Sequence, residues 1–208
     1  MHSHAMRTPR PLTPARLTAL VIFTVTMLSL RAQFDVSQGL MGGAPVGPTL
    51  WRMLGYFTVL SNMLVAAAMC AAAMGWSVPP RLAAGLAVWM AMTALIYHTL
   101  LSGLWAPQGM AWWADQGLHT AVPILVLVWW WVFGPKPISW RDIPVWLAWP
   151  AAYGVYALIL GAVTGFWAYP FLDADTAGWA TVAVGLAIML AAFAAVGAGL
   201  VIVAKRLA

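Results

Sequence analysis

Six long apolar runs, separated by short breaks rich in proline and glycine, decide what this chain can fold into. They span residues 17–30, 51–76, 82–105, 112–133, 143–165 and 179–203. Most are long enough to cross a bilayer as a helix of about 20 residues. Hydrophobic residues make up 63% of the 208 residues and charged residues 7%, so the chain lacks the polar surface that a soluble globule needs. These features predict an all-α polytopic membrane protein with six transmembrane helices in one bundle.

The basic residues predict how the bundle is oriented. Eight of the ten Lys and Arg residues fall on one predicted side, namely Arg7, Arg10, Arg16, Arg81, Lys136, Arg141, Lys205 and Arg206. Cytoplasmic segments are enriched in Lys and Arg, so both termini are expected to be cytoplasmic. Residues 1–14, a polar stretch, are expected to form a disordered cytoplasmic tail. Residues 15–208 are expected to form the transmembrane domain.

The basic balance, with a pI near 9.9, does not indicate a nucleic-acid partner. Lys and Arg lie at the ends of the apolar runs rather than in a cluster, so we attribute them to topology and to contact with anionic lipids. The single cysteine, Cys70, excludes a disulfide within the chain. We expect the lipid bilayer as partner, and neither a metal nor a cofactor; the oligomeric state is left open.

The fourth run carries ionisable residues inside it. Asp115 and His119 are four residues apart, with Gln116 beside them, so they lie on one face of a helix. An ionisable side chain inside a span costs a few kcal/mol or more, and it usually marks a functional site that faces the bundle interior. We interpret His119 as a base or ligand, with Asp115 orienting its ring and setting its tautomer.

Three reactive side chains on three runs share one predicted depth. Thr58, His98 and His119 each stand seven residues from a tryptophan expected at the membrane interface, which is about 10 Å along a helix. The three tryptophans are Trp51, Trp105 and Trp112. This shared level predicts one pocket that opens toward the outer leaflet.

A hydroxyl, an imidazole and a carboxylate in one pocket are typical of acyl transfer. We predict Thr58 as nucleophile, His119 as general base and Asp115 as the group that orients the base. The substrate would be a lipid ester that enters sideways from the membrane. Asn62, His98 or a freed backbone N–H group would stabilise the oxyanion. The G-x-S-x-G and H-E-x-x-H patterns are absent, which argues against an α/β-hydrolase or a zinc protease.

Other polar residues extend this predicted pocket. Ser61 and Asn62 lie three and four residues after the predicted nucleophile and continue its polar face. Tyr153 and Tyr156 on the fifth run either line the same cavity or pack in an aromatic core, and packing is the favoured interpretation. Pro150 on that run should kink the helix and free a backbone carbonyl.

Two other functions would use the same imidazoles. His98 and His119, at one depth on consecutive spans, could be axial ligands of a b-type haem. Alternatively, Asp115 and His119 form a proton relay in a transporter, or the bundle is a non-catalytic lipid-binding module. Ser102, four residues after His98, could form a competing serine–histidine pair.

Three segments resemble a known family: Tyr56–Asn62 (YFTVLSN), Leu118–Pro123 (LHTAVP) and Phe166–Asp173 (FWAYPFLD). They are similar to the androgen-induced membrane hydrolase family and its bacterial six-span relatives, and the likeness covers nearly all spans. The resemblance implies hydrolysis of fatty acid esters of hydroxy fatty acids in a bacterial inner membrane. It also implies an intramembrane threonine and histidine as the catalytic pair, here at Thr58 and His119.

One position departs from that family. Leu160 stands where an arginine before the glycine is expected in the bacterial relatives. A charge that would hold a carboxylate is therefore missing from this position. The departure bears on head-group recognition more than on the nucleophile.

Overall fold

The computed structural model describes residues 12–207, and every regular element in that part of the chain is helical. Its α-helices are α1 (Pro14–Leu40), α2 (Val46–Leu54), α3 (Phe57–Ala73), α4 (Pro80–Ile96), α5 (Met110–Gln116), α6 (Val122–Phe133), α7 (Ile143–Thr164), α8 (Ala174–Ala177) and α9 (Trp179–Leu207). Two π-helical segments, π1 (Tyr97–Leu101) and π2 (Gly117–Ala121), extend α4 and join α5 to α6. Short 3₁₀ turns precede α7 and α8, at Trp140–Asp142 and Pro170–Leu172.

Five helical rods are long and apolar enough to cross a membrane. They are α1, α4 with π1, α5 through α6, α7 with its 3₁₀ turn, and α9. The chain is therefore an all-α, multi-pass bundle, as predicted. Most of its rods begin and end within a few residues of the predicted runs, but α1 and α9 are longer because they continue past the predicted ends.

The second predicted span, residues 51–76, falls on a bent pair of helices, which counts as a sixth candidate span if the pair is taken as one broken span. α2 and α3 meet at a bend of 97° around Gly55. A Cβ at Gly55 would lie 2.6 Å from Phe166 Cε1, so a glycine lets the loop after α7 pack into the bend. Counting helical residues from Trp51 therefore does not measure the depth of Thr58, which is the second residue of a new helix.

Small residues let the rods pack closely around α4. α1 lies along α3 and α5, α4 contacts α6 and α9, and α7 lies against α9. Ala83, Ala84 and Ala87 of α4 are almost fully buried, and side chains this small allow close helix approach in a membrane. The large side chains of Trp130 and Trp146 fill the remaining interior.

A tryptophan of α4 compensates for the proline inside α7. The helix continues through Pro150, which has no N–H to donate to the carbonyl of Trp146. The Trp89 indole Nε1 donates to that carbonyl instead, at 2.9 Å. The predicted free carbonyl is thus confirmed, and the neighbouring helix satisfies it.

A buried carboxylate closes the end of the bundle where α4 begins. Asp142 Oδ1 accepts from Arg81 Nε at 2.5 Å, and its Oδ2 accepts from the Ser139 backbone N–H at 2.7 Å. The Trp146 indole donates to the Arg81 carbonyl at 2.9 Å. We call this region, formed by Arg81, Ser139, Asp142 and Trp146, the ion-pair end. It joins α4 to α7.

The first helix begins inside the predicted tail. Thr13 caps α1 by accepting from the Arg16 backbone N–H at 3.3 Å, and Pro14 occupies the first turn, where its missing N–H costs nothing. The predicted disorder of residues 1–14 otherwise falls on residues 1–11, which lie outside the described residues. The cytoplasmic location of both termini stays a prediction.

Candidate functional site

The predicted nucleophile lies in the first turn of α3. Thr58 is buried, and its backbone nitrogen and its Oγ1 each lie 3.4 Å from the Tyr169 hydroxyl. Tyr169 belongs to the loop between α7 and α8. Because the first N–H groups of a helix have no partner within it, the start of α3 presents donors and the positive end of the helix dipole.

His119 lies in π2 and is held by Asp115. Its Nδ1 lies 3.0 Å from the Asp115 carbonyl oxygen and 3.3 Å from Asp115 Oδ1. Both neighbours are acceptors, so in the neutral ring the proton belongs on Nδ1 and Nε2 is the basic nitrogen. Within residues 12–207, Nε2 has no hydrogen-bond partner. The predicted proximity of Asp115 and His119 is confirmed.

Tyr97, which the sequence did not single out, completes this cluster. Its hydroxyl donates to Asp115 Oδ2, and its ring stacks on the His119 imidazole with centroids 4.2 Å apart. Gln116 Nε2 also donates to Asp115 Oδ2, at 3.3 Å. Asp115 is only 2% exposed, and no Lys or Arg in the described part of the chain pairs with it.

The proline after π2 explains how this segment is tied to α3. The Val122 N–H does not donate to the carbonyl of Leu118, which would be its partner in an α-helix. It donates to the carbonyl of Gly117, one residue earlier. The π-helical partner of that carbonyl would be Pro123, which has no N–H. Asn62 Nδ2 donates to the free Leu118 carbonyl at 3.3 Å and to the Thr58 carbonyl at 2.8 Å. One amide thereby holds the start of α3 against π2.

Two cavities meet at the Thr58 and His119 side chains. The first, of about 260 Å³, is almost entirely apolar and is lined by α3, α4, α7 and α9. The second, of about 440 Å³, is more polar and is lined by α1, α2 and π2, with Arg52 among its residues. Thr58, Leu101, His119 and Tyr169 line both cavities. We call the region around Thr58, Tyr97, Asp115, His119 and Tyr169 the site end.

The Thr58 hydroxyl is bonded to Tyr169 rather than to the predicted base. Within residues 12–207, no hydrogen bond joins Thr58 Oγ1 to either ring nitrogen of His119. Burial raises the pKa of the Tyr169 phenol, although its hydrogen bonds to Thr58 act in the opposite direction. The Tyr169 hydroxyl therefore stays protonated at neutral pH and is able to donate.

His98 lies outside this cluster. It is exposed, its Nε2 lies 3.0 Å from Thr120 Oγ1, and it lines neither cavity. The Tyr97 ring contacts both imidazoles, and it meets His98 edge-on with centroids 4.9 Å apart. The Ser102 hydroxyl donates to the His98 carbonyl at 3.3 Å. These contacts support neither a serine–histidine pair nor a haem held between His98 and His119.

The remaining predicted pocket residues divide between the cavity and the packing around it. Tyr153 lines the apolar cavity, and its hydroxyl donates to the Gly55 carbonyl at 2.8 Å. Ser61 is fully buried and accepts from Trp149 Nε1 at 3.0 Å, outside both cavities. Tyr156 is half-buried and lines neither cavity.

The site end offers hydroxyl, phenol, imidazole and carboxylate groups. Within residues 12–207, no group of three or more His, Cys, Asp or Glu side chains gathers in a way that could hold a metal ion. When the chain was compared with protein-family models, with curated proteins and with solved structures, no match was found.

Proposed function

We propose that the protein is an intramembrane hydrolase of lipid esters, with Thr58 as nucleophile and His119 as general base. The observation that carries this proposal is that both side chains line both cavities. An ester that lies across the two cavities would bring its reacting carbonyl to the hydroxyl and the imidazole. The substrate enters from the bilayer, and the reaction uses no cofactor.

The reaction would follow the two steps of acyl transfer. Thr58 Oγ1 attacks the ester carbonyl carbon, and its proton passes to His119 Nε2. The ester C–O bond then breaks, and the departing alcohol takes the proton from His119. In the second step, water attacks the acyl-threonine carbonyl carbon and gives a proton to the same nitrogen. The bond from the acyl carbon to Thr58 Oγ1 then breaks, Oγ1 takes that proton back from His119, and the fatty acid leaves.

The base and the oxyanion would be stabilised by different groups. The Asp115 carbonyl and carboxylate accept from Nδ1, which keeps Nε2 basic and stabilises the imidazolium that forms. The Tyr169 hydroxyl and the Thr58 backbone N–H lie together at the start of α3, where a developing oxyanion also meets the helix dipole. Of the oxyanion donors predicted from the sequence, a backbone N–H gains this support, because the Thr58 N–H has only a long 3.4 Å bond to the Tyr169 hydroxyl to exchange for the oxyanion. The Asn62 amide instead binds two carbonyls.

Attack requires the Thr58 hydroxyl to exchange its bond to Tyr169 for one to His119, directly or through one water. Catalytic hydrogen bonds are often long or absent before substrate binds and form in the Michaelis complex. An oxyanion that takes the Tyr169 hydroxyl would leave Thr58 free to turn to the base. The exchange therefore couples substrate binding to nucleophile activation.

Labelling with a fluorophosphonate hydrolase probe tests this proposal. We expect the wild type to be labelled, and labelling to be lost in Thr58→Ala and His119→Ala. Ser61→Ala is the matched control, because Ser61 lies on the same helix but outside both cavities. Labelling that survives both site substitutions would contradict the proposal. Uptake of protons that depends on Asp115, without ester cleavage, would favour the transport alternative.

A further inference from the structure

Arg52 brings a positive charge to the polar cavity. It lies in the last turn of α2, next to the bend that leads to Thr58, and it lines the same cavity as Thr58 and His119. Its guanidinium lies over the Phe166 ring, with the Cζ atom 4.2 Å from the ring centroid. Arg52 is exposed, and this contact positions the guanidinium without neutralising its charge.

The described part of the chain provides no anion for this guanidinium. The other outer arginine of the predicted topology, Arg31, pairs with Asp35 at 2.8 Å, whereas Arg52 forms no ion pair within residues 12–207. Asp115 is the carboxylate that lines the same cavity, and its oxygens are taken by Tyr97, Gln116 and His119. The guanidinium is exposed, and no ion pair within residues 12–207 neutralises it, so it is available to an anionic ligand.

The rest of the cavity suits the head of an amphiphile. Gln33 and Ser37 of α1 line it and bond to each other at 3.1 Å, so neutral polar groups stand among its apolar walls. The adjoining cavity at Thr58 is almost entirely apolar and suits a hydrocarbon chain. The two cavities thus match a molecule with one charged end and one apolar end.

We propose that Arg52 binds the acidic head group, a carboxylate or a phosphate, of the lipid ester whose acyl chain occupies the apolar cavity. This inference rests on the proposed hydrolase function and names its substrate class. A guanidinium binds either anion through two parallel hydrogen bonds. Removing it is expected to weaken recognition of the acidic substrate about tenfold, since a charge-assisted hydrogen bond contributes on that order.

Three esters separate head-group recognition from catalysis. The first is the palmitoyl ester of a hydroxystearic acid with a free carboxylate, the second is its neutral methyl ester, and the third is a lysophosphatidic acid. We expect the wild type to prefer an acidic ester over the neutral one in kcat/KM, and the ratio to fall about tenfold in Arg52→Gln. Arg52→Lys should keep part of the preference. Arg31→Gln is the matched control and should keep the wild-type ratio.

Binding to Thr58→Ala, measured by the shift in thermal unfolding, makes the test independent of turnover. A preference for the free acid that depends on Arg52 identifies a carboxylate, and one confined to lysophosphatidic acid identifies a phosphate. Binding that shows this preference without turnover in the wild type would overturn the hydrolase but not the head-group site. Turnover with equal preference in wild type and Arg52→Gln would overturn the head-group site but not the hydrolase.

Discussion

The two ends of the bundle each bury one aspartate, and the two carboxylates have opposite surroundings. Asp142 at the ion-pair end is 3% exposed and is paired with Arg81 and with Ser139. Asp115 at the site end is 2% exposed, and its partners are a phenol, an amide and an imidazole rather than a cation. The first carboxylate has its charge neutralised by the fold. The second carboxylate contacts the imidazole of His119, which lines two cavities.

This difference separates the structural role of Asp142 from the role that we propose for Asp115. A buried charge needs a partner, and at the ion-pair end Arg81 satisfies that need together with the backbone N–H and the hydroxyl of Ser139. At the site end the imidazole takes the place of the arginine and keeps one nitrogen available for chemistry. Burial of an acidic residue in a membrane bundle does not by itself indicate a functional site. The side chain that pairs with the buried carboxylate distinguishes the two cases.

Paired substitutions at the two aspartates should give the largest contrast. We expect Asp115→Asn to lower kcat for ester hydrolysis about 100-fold, because His119 loses the carboxylate that orients it and stabilises its charged form. Asp142→Asn should leave kcat unchanged and lower the free energy of unfolding by about 1–2 kcal/mol, a modest loss since Arg81 is largely exposed. Hydrolysis rates and thermal unfolding in detergent check both. Equal effects on kcat at the two positions would remove the distinction.

Among the described residues, no such ion pair joins different helices at the site end, where the helices approach closely instead. A Cβ at Gly117 would lie 2.0 Å from Ser29 Oγ and 2.7 Å from Ser29 Cβ, so Gly117→Ala must push α1 away from π2. We expect a loss of about 2 kcal/mol in stability together with reduced activity. Thermal unfolding and the hydrolysis rate measure the two effects.

Two further variants test whether that loss comes from the contact itself. Adding Ser29→Gly should restore part of the stability, since it removes the atoms that clash. Gly154→Ala is the matched control, because its Cβ would meet only Leu186 Cδ2 at an ordinary 3.5 Å. A loss in Gly154→Ala as large as that in Gly117→Ala would show that general crowding between helices, not the π2 contact, is being measured, because alanine favours a helix more than glycine does.

The smallest expected effect isolates the hydroxyl of Tyr97. Tyr97→Phe keeps the ring that stacks on His119 but removes the donor to Asp115, so kcat should fall about tenfold with little change in stability. Steady-state kinetics measure the fall. In the double variant with Asp115→Asn the two losses should be less than additive, because both act through the same imidazole. Fully additive losses in kcat would show that Tyr97 does not act through Asp115 and His119.

Local sequence features predicted the parts of the molecule that depend on neighbouring residues. Hydropathy identified the rods because each span buries its own backbone in helical hydrogen bonds, whatever it packs against. The spacing of Asp115 and His119 predicted their contact because residues four apart meet on one helix face, and it held even where the helix opens into π2. Pro150 predicted a free carbonyl for the same local reason, although not the Trp89 indole that fills it.

The site itself draws on contacts that no local pattern contains. Tyr169 lies 111 residues from Thr58, and Asn62 lies 56 residues from the Leu118 carbonyl that it binds. The FWAYPFLD segment drew attention to the region of Tyr169, but nothing in it indicated which side chain contacts Thr58. Counting helical residues from Trp51 also gave no measure of the depth of Thr58, because the chain bends between these two residues.

The sequence by itself determined a multi-pass helical bundle and one polar pair, Asp115 and His119, since both follow from hydropathy and helical periodicity. Only the tertiary structure decided that α2 and α3 meet at a bend around Gly55 and that the Tyr97 ring stacks on the His119 imidazole. It also decided that Arg52 lines the same cavity as Thr58. The physical reason is that these features depend on contacts between side chains that are far apart in the sequence. Only the packing of the helices brings those side chains together.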